Sequence, residues 1–140
     1  DLELVEVARL SVTENIVGLV LPGNQPFFRV WDQMTGVHKT YRMGEPPFSG
    51  GPQPPLEVYA SPSSGGDGGP ALAADANHLY FFGASASGGA RLLRCPVAST
   101  TFAAQECQAV SGDLTEPGPI AVSANYVFYA SGEKLYRAVK

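Results

Sequence analysis

The sequence is short of the residues that carry most protein chemistry. Of its 140 residues two are cysteine, two histidine and one tryptophan, and only 16% are charged. Lys and Arg number 9 against 13 Asp and Glu. They form no cluster able to neutralise phosphates, which argues against a nucleic-acid surface. No apolar run approaches the roughly 20 residues that span a bilayer; the longest, Ile16 to Leu21, is strand-sized. Neither histidine stands near the cysteines at zinc-ligand spacing, so no metal or other cofactor is expected. A G-x-S-x-G elbow and a Ser/His/Asp arrangement are both missing, which argues against hydrolysis by a triad.

What is present in quantity is glycine, 16 residues, and proline, 12, alongside 44% hydrophobic residues. That mixture predicts one all-β domain of many short strands joined by tight turns. Cys95 and Cys107 form an even pair close in sequence, favouring a disulfide in an exported protein over two buried thiols. The chain starts at Asp1, with no methionine and no signal-type segment before it. It therefore reads as a processed chain, located outside the cytoplasm or at the cell surface.

A unit recurs. Asn15, Asn77 and Asn125 each follow an aliphatic residue five positions earlier (Leu10, Leu72, Ile120) and precede another two positions later (Val17, Leu79, Val127). Each copy then reaches a hydrophobic pair and an arginine: Phe27-Phe28-Arg29, Leu92-Leu93-Arg94 and Leu135-Tyr136-Arg137. The asparagines are 62 and 48 residues apart, and periods of about 40 to 50 residues are propeller-blade lengths. The copy at 118–140 reads as strand Ile120–Val122, turn Ser123-Ala-Asn125, strand Val127–Tyr129 and an alternating strand over 133–139. Fourth strands are predicted at Leu56–Tyr59 and Cys107–Val110. In the first copy the first strand is assigned to Arg9–Thr13, and Val37–Arg42 is taken as an extension of its hairpin. The last copy lacks a fourth strand, and the alternating segment Asp1–Ala8 is expected to supply it, as closure of a ring requires.

The run Pro70-Ala-Leu-Ala-Ala-Asp75-Ala-Asn77-His-Leu-Tyr-Phe82, continuing to Leu93-Arg-Cys-Pro96, resembles the blades of secreted bacterial β-propeller repeat proteins of the myxobacterial type. The likeness covers the second and third copies well and the first weakly. It implies an exported propeller and no particular ligand. The expected fold is three four-stranded antiparallel blades: blade 1 at about 9–60, blade 2 at about 70–110 and blade 3 at about 118–140 plus 1–8. Because propellers typically carry four to eight blades, three suggest half of a six-bladed ring, or a piece of a longer propeller.

Candidate site residues follow from repetition. Arg29, Arg94 and Arg137 form a prospective ring of cations, or else bridges between blades, with Trp31 and Tyr41 as an aromatic patch for a sugar or a partner protein. His38 reads as a solvated strand residue and His78 as a strand residue at a blade edge. Asp75 reads as a turn residue before it reads as an inner carboxylate. Gly65–Gly69 holds one Asp, too few oxygens for calcium, and reads as a connector. The proline-rich run Glu45–Pro55 reads as a stiff crossing.

The functional expectation is a non-enzymatic binding or structural module. It would recognise another protein, a glycan or further copies of itself through propeller faces and strand edges. Two alternatives stand beside it: a propeller hydrolase or lyase with a central-channel site, and a β-sandwich carbohydrate-binding module.

Overall fold

Alternating apolar and polar residues, broken by Gly, Pro, Asn and Asp, produce eleven strands and no helix among the described residues. The computed structural model describes residues 8–43, 52, 54–60, 67–85, 87–98 and 107–140. The first sheet holds β1 (Glu14–Val20), β2 (Phe27–Asp32), β3 (Val37–Arg42) and β4 (Leu56–Ala60) in that order. The second holds β5 (Leu72–Ala74), β6 (His78–Ala84), β7 (Ala90–Pro96) and β8 (Gln108–Ala109), again in chain order. The third holds β9 (Pro117–Val122), β10 (Tyr126–Ser131) and β11 (Lys134–Val139). All neighbours are antiparallel, so each sheet is a meander.

The turns follow from local chemistry. Asp75 closes the β5–β6 turn by accepting the amides of Asn77 (2.8 Å) and His78 (2.9 Å) on one carboxylate oxygen. Ser123 does the same job at β9–β10, its hydroxyl accepting the Tyr126 amide at 3.1 Å. Gly132, with φ of 56°, opens the two-residue β10–β11 turn, a position where the positive angle favours glycine.

One backbone bond recurs at the mouth of each second–third strand hairpin: Met43 N to Pro26 O (3.0 Å), Val97 N to Asn77 O (2.9 Å) and Lys140 N to Asn125 O (3.1 Å). It aligns the sheets residue by residue, with Phe27, His78 and Tyr126 each opening a second strand.

This register corrects the first copy. Its first strand is β1 and not Arg9–Thr13; Asn15 lies within that strand, paired with Trp31, and closes no turn. The true turn is 21–26, where Pro26 stands in the register position that Asn77 and Asn125 hold in the other copies. Val37–Arg42 is a full third strand, bonded to β2 on one side and β4 on the other. The fourth strands at Leu56–Ala60 and Gln108–Ala109 fall where the sequence places them. The expected strand Asp1–Ala8 lies outside the described residues except for Ala8, as do most of the proline-rich run and Gly65–Gly66.

Where two successive sheets pack, the front face of the earlier meets the back face of the later. Phe27 on the front of the first sheet packs with Leu79, Phe81 and Cys95 on the back of the second, joined by Val58. Tyr80, Phe82, Ala90 and Leu92 on the front of the second pack with Val127 and Tyr129 on the back of the third. Neighbouring backbones come closest at the first strands, β1 against β5 and β5 against β9. The three sheets thus stand in series, meeting along one side. Cys95 and Cys107 form a disulfide that fastens the start of β8 to β7.

Candidate functional site

The three arginines singled out by repetition do not come together. Arg94 and Arg137 are equivalent: each lies three residues before the hairpin-mouth amide, opposite an aromatic residue of the second strand, Tyr80 and Phe128. In the first sheet this position belongs to Thr40, and Arg29 stands across the ladder from it on β2. The sequence match joined Phe27-Phe28-Arg29 to the others because any hydrophobic pair followed by arginine satisfies it, whichever strand carries it.

Arg29 is fully buried between the first and second sheets. Its Nε donates to Gly69 O (3.2 Å), Nη1 to Thr40 Oγ1 (2.7 Å) and Nη2 to Phe82 O (2.8 Å). Its guanidinium lies 4.9 Å from the centre of the Phe81 ring. Burial lowers its pKa to about 10, opposed by the charge of Asp67, so it remains a cation at neutral pH. The crossing chain presses close here: a Cβ on Gly68 would lie 1.8 Å from Phe82 O, so only glycine fits. Arg29 is a clasp between sheets, each of its three nitrogens donating one hydrogen bond inward.

The aromatic patch is not formed either. Trp31 is half-buried on β2, tilted against His38 at 4.8 Å between ring centres. Tyr41 is buried on the opposite face, stacked on Phe28 at 5.6 Å. Its hydroxyl donates to Glu14 at 2.6 Å, and burial together with Glu14 raises its pKa.

His38 is also buried, not solvated. Its Nδ1 lies 2.5 Å from Asp67 Oδ2 and its amide donates to Asp67 Oδ1 at 3.0 Å. Burial lowers its pKa and the Asp67 partner opposes that shift. This contact spans 29 residues, beyond the reach of local spacing. Asp75 is a turn residue: burial raises its pKa, but Lys140 Nζ at 2.6 Å, two backbone amides and the Tyr80 hydroxyl hold it well below the ordinary carboxylate range.

Two further features have no signature in the sequence. On the back of the first sheet Lys39 Nζ stands among Asp32 (2.8 Å), Glu14 (3.4 Å) and Glu57 (3.7 Å). The Lys39 hydrogen bond is the main force holding Asp32 at about 2. Along the meeting side of the sheets, residues 17–19, 70–72 and 117–119 border a groove of about 450 Å³. Those nine residues are Val, Leu, Ala, Pro and Gly, none of which can act as acid, base, nucleophile or metal ligand. Among the described residues no three His, Cys, Asp or Glu gather where a metal could be held.

The surface that stands out is the front of the third sheet, carrying Tyr126 and Phe128 from β10 and Leu135, Arg137 and Val139 from β11. Leu135 and Val139 are each 75% exposed, whereas Leu92, which holds Leu135's position in the second sheet, is 0% exposed. Arg137 lies 4.7 Å from the centre of the Tyr126 ring. Alternation along β11 marked Leu135 and Arg137 as one face in the sequence, but nothing there revealed that this face stays uncovered. No family model matches this chain, and no curated protein or solved structure matches it.

Proposed function

We propose that the chain is a set of propeller-type blades serving as a non-enzymatic binding or structural module outside the cytoplasm. The observation that carries this reading is the serial packing of three similar meanders along their first strands, which leaves one apolar front face uncovered. Continuous apolar surface rimmed by polar residues is the ordinary mark of a macromolecular interface. A disulfide is the expected staple in an oxidising compartment and fits export. The groove at the meeting side, with its inert lining, supports recognition over catalysis.

The test sets wild-type chain beside a Leu135→Asp/Val139→Asp double variant on an immobilised array of polysaccharides and in a solution-mass series. Saturable binding or association by wild type, weakened at least about tenfold in the variant, supports the reading. Binding that the double variant leaves unchanged contradicts it, as does turnover of an arrayed polysaccharide.

A further inference from the structure

We infer that the outer edge of β11 takes the segment Asp1–Val7 of a second copy of this chain as its fourth strand. This rests on the blade reading above and names its partner. In the first two sheets the third strand is flanked on its outer side, β3 by β4 and β7 by β8, whereas no strand among the described residues lies beyond β11. Lys140 bonds inward to Asn125, and bonding residues alternate along an antiparallel ladder. Leu135, Arg137 and Val139 therefore turn their amides and carbonyls to the open edge. Such an edge is a template for an added strand.

The second sheet shows what this edge asks for. Arg94, the counterpart of Arg137, stands opposite Gln108 of β8 and donates to its side chain. Arg137 lies over the Tyr126 ring instead, and among the described residues no carboxylate pairs with it or with Lys134. The segment Asp1–Val7, DLELVEV, lies outside the described residues and mixes acidic with aliphatic residues in the sequence. Run antiparallel with Glu3 opposite Arg137, as Gln108 is opposite Arg94, it sets Glu6 opposite Lys134, Leu4 opposite Tyr136 and Val5 opposite Leu135. Opposite charges and apolar pairs across a ladder both favour that register. Sliding the segment by one residue in either direction leaves Arg137 and Lys134 facing aliphatic residues.

A chain cannot serve itself. Ala8 packs against the back of the first sheet, and β11 lies two sheet spacings away, about 20 Å at the usual distance between stacked sheets. With Glu6 opposite Lys134 only Val7 is left to cross that gap, and one residue reaches about 3.6 Å. The donor is therefore a second copy, and mutual exchange satisfies the edges of both.

The test is solution mass by sedimentation velocity on the full chain, from low to high micromolar concentration. Wild type should rise from the 14.7 kDa of one chain toward twice that value. Glu3→Arg and Arg137→Glu should each weaken association at least about tenfold with unchanged circular-dichroism spectra. An equimolar mixture of the two should recover it, since each then meets opposite charge on its partner. A wild type that stays monomeric overturns the inference. So does association that either substitution leaves intact, or a mixture that associates no better than its components. Proton contacts between the Tyr59 and Phe81 rings and between Phe82 and Tyr129 separate the two levels. If they persist in a permanent monomer, only the choice of partner fails; if they are missing, the blade reading falls with it.

Discussion

Leu92 and Leu135 occupy the same place in two successive sheets, on the third strand and facing forward, yet one is fully buried and the other 75% exposed. The difference lies in what stands in front of them. Leu92 meets the back of the third sheet through Val127 and Tyr129. No sheet among the described residues is packed in front of Leu135. Residue type and strand position set which way a side chain points; whether it becomes core depends on the next sheet in the series.

Substitution can break this comparison most sharply. At a dilution where the chain is monomeric, Leu92→Ala should lower unfolding stability by about 3 to 4 kcal/mol, in the range for a buried Leu truncated to Ala. Leu135→Ala should change it by less than about 0.5 kcal/mol. Urea denaturation of the two variants checks both, and equal effects would refute the serial packing. The disulfide gives the next largest difference. Cys95 is buried in the second sheet, and Ala138 holds its position in the third. Replacing Cys107 with Ala should cost about 3 kcal/mol, as expected for opening a loop of this length, and should loosen β7–β8 amides before those of β10–β11 in hydrogen exchange.

The arginines offer a third contrast. Arg29→Met removes the donors to Gly69 O and Phe82 O between the sheets and should cost about 2 kcal/mol. Arg29→Lys should not restore it, because one ammonium cannot span three acceptors. Arg137→Met gives up only an exposed ring contact, so thermal unfolding should move by less than the equivalent of about 1 kcal/mol.

The smallest effects depend on pH. Asp32 and Asp75 have folded pKa values below the ordinary value of about 3.9. Their contribution is therefore present above pH 4 and lost as pH falls toward 2. Asp32→Asn should flatten that acid limb in denaturation measured as a function of pH. His38 also has a lowered pKa, so the unfolded chain takes up its proton first and stability should begin to decline as pH falls through about 6.5. The third sheet has no carboxylate in its strands and contributes no comparable acid limb.

The third copy was legible in the sequence because its turns are short and chemically marked: Ser123 with Asn125, then Gly132. The second copy was legible for the same reason through Asp75 and Asn77. The first copy was not. Its turn at 21–26 is bracketed by prolines, and Asn15, with aliphatic neighbours at the right distances, imitated the missing signal from inside a strand. That misplacement carried Arg29 onto the wrong strand and paired it with Arg94 and Arg137. The Asp67–His38 contact and the Lys39 cluster stayed hidden because their partners meet only when strands and crossing segments are set side by side. The candidate face was half legible: alternation in β11 marks it, while its exposure depends on sheet order.

The most direct test of that order is the pattern of contacts between aromatic ring protons in dilute, monomeric chain. Serial packing predicts cross-peaks between Tyr59 and Phe81, whose ring centres are 4.9 Å apart, and between Phe82 and Tyr129, at 6.4 Å, with none joining Phe28 to Phe128. Cross-peaks between Phe28 and Phe128 in the monomer, or the absence of the first two, would contradict it.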